Sequence, residues 1–113
     1  MGEKTYTHGQ VAIVANTCES ATVDMRRFTT LYVYIPDDWT PAALGLKVAP
    51  VPNTQFKPLA EVVVSSISTN QAYVFPHDSV RGAGYIRLWS RDAAGNDVDQ
   101  ADTRVIGYSL SDG

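Results

Sequence analysis

Short period-two stretches, each closed off by turn residues, constrain this chain more than any other feature. Phe28-Thr-Thr-Leu-Tyr-Val-Tyr-Ile35 and Tyr85-Ile-Arg-Leu-Trp89 lead the set, and glycine, proline, asparagine or aspartate bound the segments. Successive side chains of an extended strand point to opposite faces. Thr29, Leu31, Val33 and Ile35 therefore form one face, apolar enough for a core, with Phe28, Thr30, Tyr32 and Tyr34 on the other. Their β-branched and aromatic residues fit a pleated, half-buried surface.

The same pattern predicts strands over 10–15, 20–23, 46–49, 61–65, 71–75, 84–90 and 103–110, with 56–59 as a short extended edge piece. The segments at 61–65 and 71–75 read as a hairpin with a long loop. One helical turn is expected at Asp38-Trp-Thr-Pro-Ala-Ala-Leu44, with Asp38 as cap, Pro41 in the first turn and Gly45 as stop. Residues 91–102 form a long polar loop. About eight short strands with turn signals every 8–12 residues predict an all-β, single-domain, two-sheet antiparallel β-sandwich of jelly-roll-like form. Residues 1–8 are expected as a flexible N-terminal arm, 9–110 as the sandwich and 111–113 as a frayed tail. Helical segments alternating with strands are missing, which argues against a βαβ architecture.

At 113 residues the chain can bury a real core without disulfides or metals. Its net charge of −3 argues against a nucleic-acid partner or an anionic membrane. No window approaches the roughly 20 apolar residues of a membrane helix, and the polar N-terminal stretch lacks a secretory pattern, so synthesis in the cytosol is the expectation. The single cysteine, Cys18, excludes an internal disulfide and a multi-cysteine metal site.

Reactive chemistry is hard to find. Arg81-Gly-Ala-Gly-Tyr85 has neither the lysine nor the helix of a phosphate loop. His8 lies in the expected arm, and His77-Asp-Ser79 in a turn cannot form a triad locally. Cys18 beside Glu19 lacks the cation that would activate a thiol. Asp37 and Asp38 read as turn and cap residues rather than a glycosidase pair. Asp92, Asp97, Asp99 and Asp102 offer hard oxygens for calcium, but a solvated acidic loop is the commoner outcome. No catalytic residue, cofactor or metal is therefore assigned. Trp39 reads as a plug at the end of the core. Trp89, with Tyr85 and Arg87 on its face, would form a contact surface if that face pointed outward, since Trp, Tyr and Arg are typical anchors; Trp39 is the fourth candidate. Asp102 and Arg104, two apart, could pin the long loop to the last strand.

Three stretches carry a resemblance: Ile35-Pro-Asp-Asp-Trp39-Thr-Pro-Ala-Ala43, Gly84-Tyr-Ile-Arg-Leu-Trp-Ser90 and Asp97-Val-Asp-Gln100-Ala-Asp-Thr-Arg104. Their order and spacing resemble small virion-associated proteins of tailed bacteriophages. The pattern departs in one place, where Ser90 is followed by Arg91 rather than glycine. The resemblance implies a non-enzymatic structural protein of the virion, such as a capsid decoration, neck or fibre-associated subunit. It implies other virion proteins as partners, the major capsid protein among them, and a homo-oligomer, for instance a trimer. The rival reading is a carbohydrate-binding module that stacks sugars on Trp39, Trp89 or Tyr85.

Overall fold

The computed structural model describes residues 6–65, 67–75 and 83–112. His77, Asp78, Ser79 and Arg81, weighed above for chemistry, lie outside the described residues. Among the described residues eight strands follow one another: β1 (Tyr6–Ile13), β2 (Val23–Asp24), β3 (Thr30–Tyr34), β4 (Ala43–Ala49), β5 (Lys57–Val64), β6 (Ala72–Val74), β7 (Tyr85–Arg91) and β8 (Arg104–Ser111). They form two four-stranded sheets, ordered β1-β8-β3-β6 and β2-β7-β4-β5. Every pairing is antiparallel.

This order has a simple logic. β1 pairs with β8, β2 with β7, β3 with β6 and β4 with β5. The chain is thus one long hairpin, rolled so that β3 also meets β8 and β4 also meets β7. That is the double Greek key of a jelly roll, as the strand rhythm predicts.

The core lies between the sheets. Leu31 and Val33 of β3 and Ile106 and Leu110 of β8 face Leu44 and Leu46 of β4 and Ile86 and Leu88 of β7, all at most 2% exposed. Each such side chain stabilises the fold by about 1.5–3 kcal/mol through removal from water. Tyr32 and Tyr34 point outward, 43% and 45% exposed. The alternation assigns the faces correctly within Thr30–Tyr34, whereas Phe28, read on the outer face, precedes the strand and packs against the core. Gly84 makes the close approach where β7 begins. Its φ is +80°, and a Cβ there would lie 2.7 Å from the Ala49 carbonyl oxygen.

Four local expectations give way. Residues 38–44 contain no helix: a turn at Asp37–Asp38 leads directly into β4. Trp39 enters the core cluster and its indole N–H donates to the Ala42 carbonyl across a bend at Pro41. The expected hairpin between 61–65 and 71–75 does not form, because β5 pairs with β4 in one sheet and β6 with β3 in the other. The intervening loop changes layers. The edge piece at 56–59 merges into β5, where Pro58 sits on the outermost strand of its sheet, the place a residue without an N–H is tolerated. Finally, β1 takes in Tyr6–His8, expected as arm, and β8 takes in Ser111, expected as tail; Tyr6 and Ser111 are register partners.

Candidate functional site

The two outer faces of the sandwich have opposite chemistry. On the β2-β7-β4-β5 sheet, Tyr85, Arg87, Trp89 and Arg91 alternate with the core residues Ile86 and Leu88 and so face outward. Outward is not exposed here. Trp89 is 3% exposed. The Lys47 ammonium and the Arg91 guanidinium each lie 5.0 Å from its ring centre, and its Nε1 donates to Asp97 at 2.8 Å. Lys47 in turn donates to Glu19 at 2.6 Å. Burial opposes the Lys47 charge, but the hydrogen bond and field of Glu19, with that of Asp97, outweigh it and hold the ammonium pKa above its ordinary value. Arg87 stacks on Phe56 at 4.2 Å and approaches Glu19 at 3.5 Å. Arg26 covers Tyr85 at 4.9 Å while pairing with Asp24. Cation–π contacts of this kind contribute about 0.5–1 kcal/mol each. The four candidates Trp39, Tyr85, Arg87 and Trp89 therefore do not make an open anchor surface. Trp39 is a core plug at 4% exposure, and the other three are engaged within the chain.

The β1-β8-β3-β6 sheet is the reverse. Its outward rows follow from the register. One runs His8–Ser109–Tyr32–Val74 and the next Gln10–Gly107–Tyr34–Ala72. Tyr6, Ser111 and Thr30 flank them on one side and Ala12 with Val105 on the other. Among the described residues this face bears no Asp, Glu, Lys or Arg. It carries most of the large exposed apolar side chains: Tyr6, Tyr32, Tyr34, Val74 and Val105. Gly107 leaves a gap in the middle, and Tyr34 leans over it, its ring 3.5 Å from where a Cβ would be and its hydroxyl 3.1 Å from Ser109 Oγ. A shallow depression of about 410 Å³ opens beside this ring, floored by Gly107 and walled by His8, Gln10 and Ser109.

A buried polar hub closes the far end of the sandwich. Gln100 is fully buried. Its Oε1 accepts from the Thr40 N–H at 2.9 Å and from Arg104 Nε at 3.3 Å. Its Nε2 donates to Ser90 Oγ at 2.9 Å and to the Thr40 carbonyl at 3.2 Å. Its backbone joins Asn16 and Thr17. Its side chain thus ties the β3–β4 crossing, β7 and β8 together, and its backbone adds the β1–β2 turn. Arg104 is a tether, though not through Asp102. Its guanidinium meets Asp38 at 2.9 Å and Thr40 Oγ1 at 3.0 Å, whereas Asp102 accepts from the Thr103 N–H. Nothing in the local sequence distinguishes Gln100 from any other amide in a polar loop.

Burial, followed by the nearby Asp97 charge, pushes the Cys18 thiol up to about 11. Asp92 is occupied in its own turn, accepting from the Ala94 and Asn96 N–H groups and the Asn96 side chain. No three His, Cys, Asp or Glu side chains among the described residues gather in a way that could hold a metal.

Fold and faces together define a jelly-roll sandwich with one sheet sealed by its own charges and the other open and uncharged. Neither a protein-family model nor a curated protein matches the chain. Among solved structures, the crystal structure of the SPBc2 prophage-derived protein YomS superposes with a TM-score of 0.66 and 12% sequence identity, over 98% of this chain and 96% of that one. The two share a fold along essentially their whole lengths.

Proposed function

We propose that this chain is a non-enzymatic structural subunit of a tailed-phage particle, binding other virion proteins through the uncharged outer face of the β1-β8-β3-β6 sheet. The observation that carries the reading is the contrast between the faces. A sheet face with exposed tyrosines and valines and no charge has the chemistry of an interface core, where charged residues are depleted and tyrosine is enriched. The shared fold with a prophage-derived protein supports a phage setting. A capsid-decoration or other head-associated role is the specific form we favour, with the virion as its location and the major capsid protein or neck and fibre components as neighbours.

The test is mass spectrometry and cryo-electron microscopy of the particle whose genome encodes the chain. The reading expects the protein in purified particles as density fitting a body of 45 × 30 × 22 Å, seated on its tyrosine face. It also expects Tyr32→Lys with Tyr34→Lys to release it. Particles that lack the protein overturn the proposal.

One observation favours a second reading, a carbohydrate-binding module. Tyr34 beside the 410 Å³ depression, with His8 and Gln10 at its rim, offers a ring for stacking and polar groups for hydroxyls. The buried Trp39 and Trp89 cannot serve that purpose. A glycan array decides: binding that disappears in Tyr34→Ala supports the module, and an array without binding removes it.

A further inference from the structure

Each sheet has two edges, and three of the four are protected. β2 has two residues and β6 three, too short to template another strand. β5 carries Lys57 and Pro58, and its register with β4 shifts between Gly45 and Lys47. Short length, lysine, proline and irregular register are the devices by which edge strands avoid pairing with other chains. β1 has none of them. Tyr-Thr-His-Gly-Gln-Val-Ala-Ile runs eight residues without a charge, a proline or a register shift, paired with β8 along one side. Ile13 also bridges Ser20, which engages that end and leaves residues 6–12 as the open edge.

We infer that β1 is a dimerisation edge and that its occupant is β1 of a second copy of this chain, paired antiparallel across a two-fold axis. The charge pattern selects this occupant. A two-fold contact sets every residue near a copy of its own stretch, so any charge on it would meet its like. The chain carries a net charge of −3, and 6–12 is a stretch from which that charge is missing. Antiparallel neighbours on one face also need an even register sum, so that outward side chains stay outward. All seven open residues pair only when the axis passes through Gly9. Tyr6 then lies opposite Ala12 of the second copy and His8 opposite its Gln10, with no side chain at the axis. The result is an eight-stranded sheet ordered β6-β3-β8-β1-β1-β8-β3-β6, whose tyrosine faces lie on the same side. Such a contact is isologous and closes at two subunits, in contrast to the trimer that the sequence resemblance allows.

Sedimentation equilibrium from micromolar to near-millimolar protein tests this on the full chain. The expected result is a twofold rise in mass from 12.3 kDa with increasing concentration. His8→Lys with Gln10→Lys, which leaves the β1–β8 backbone pairing in place, should shift the midpoint at least tenfold towards the monomer. A wild-type chain that stays monomeric throughout, a trimer, or a dimer unaffected by the lysines overturns the inference. If the lysine variant does not fold, oxidative crosslinking decides. In a Cys18→Ser background, an equimolar mixture of His8→Cys and Gln10→Cys chains should give the mixed disulfide well beyond the roughly twofold excess over either homodimer that random pairing produces, because directly opposed Cβ atoms lie about 4.5–5.5 Å apart. A random distribution, with the mixed product only about twice either homodimer, or a smaller share of it, overturns the register and the edge contact with it.

Discussion

Replacing Gln100 with alanine should remove a large share of this domain's stability without touching its apolar core. The side chain is fully buried and makes four hydrogen bonds, to the Thr40 N–H and carbonyl, Ser90 Oγ and Arg104 Nε. Arg104 keeps Asp38 and Thr40 Oγ1. The Thr40 N–H and the Ser90 hydroxyl lose the partner that Gln100 supplies. A buried polar group left unsatisfied costs about 1–3 kcal/mol. Two such groups, with the void left by the side chain, give about 3–5 kcal/mol. Against a total of about 5–15 kcal/mol for a natural domain, that is about a fifth of the stability or more. It corresponds to a fall in Tm of about 10–20 °C for a chain of this size. Urea unfolding followed by tryptophan fluorescence reads the change directly, since Trp39 adjoins Thr40 and Trp89 lies on the strand of Ser90. Asp99→Ala, an exposed position in the same loop, is the control and should stay within about 0.5 kcal/mol. A loss below about 1 kcal/mol for Gln100→Ala would refute the view that this side chain joins the β3–β4 crossing, β7 and β8.

Gly84→Ala should cost more than the ordinary 1 kcal/mol of a left-handed residue, because the new Cβ also collides with the Ala49 carbonyl; thermal unfolding checks it. Alkylation of Cys18 by iodoacetamide, followed by intact mass, should be slow at neutral pH and keep accelerating towards a midpoint near pH 11; a plateau near pH 8.5 contradicts this. Hydrogen bonds from Asn96, backbone first, hold the Asp92 pKa below 3.8. The stability it lends its turn is therefore present above pH 3.8 and is lost as pH falls through the lower folded value. Amide exchange at Ala94 and Asn96 should quicken across that acid range in the wild type and be insensitive to pH there, after correction for intrinsic exchange, in Asp92→Asn.

Strand faces were legible wherever alternation was strong. The core side of Phe28–Ile35 and the parity of Tyr85–Trp89 follow from period two alone, and the turn spacing points to the two-sheet roll. What escaped depends on distance along the chain. Spacing cannot separate a hairpin from a loop that changes layers, so the 61–75 region misleads. Helix-cap signals at 38–44 are local, and the pull of Trp39 into the core overrides them. Parity puts Trp89 on the outer face but says nothing of Lys47 and Arg91 closing over it. The carboxylate that pairs with Arg104 is Asp38, far away in sequence, not neighbouring Asp102. The open face is the converse case: Tyr32 and Tyr34 are visibly outward in the sequence, but its uncharged character appears only when β1, β8, β3 and β6 are placed side by side.

The rolled hairpin also governs when the molecule can come into being. β8 is the neighbour of both β1 and β3, and β7 of both β2 and β4. At about 5–20 residues per second of translation, β1 waits roughly 5–20 s for the strand that completes its pairing. The nascent chain must pass that interval with Leu31, Val33 and Leu44 in water, so folding waits until β8 has been made, and a ribosome stalled before residue 104 would hold an unfolded, sticky polypeptide.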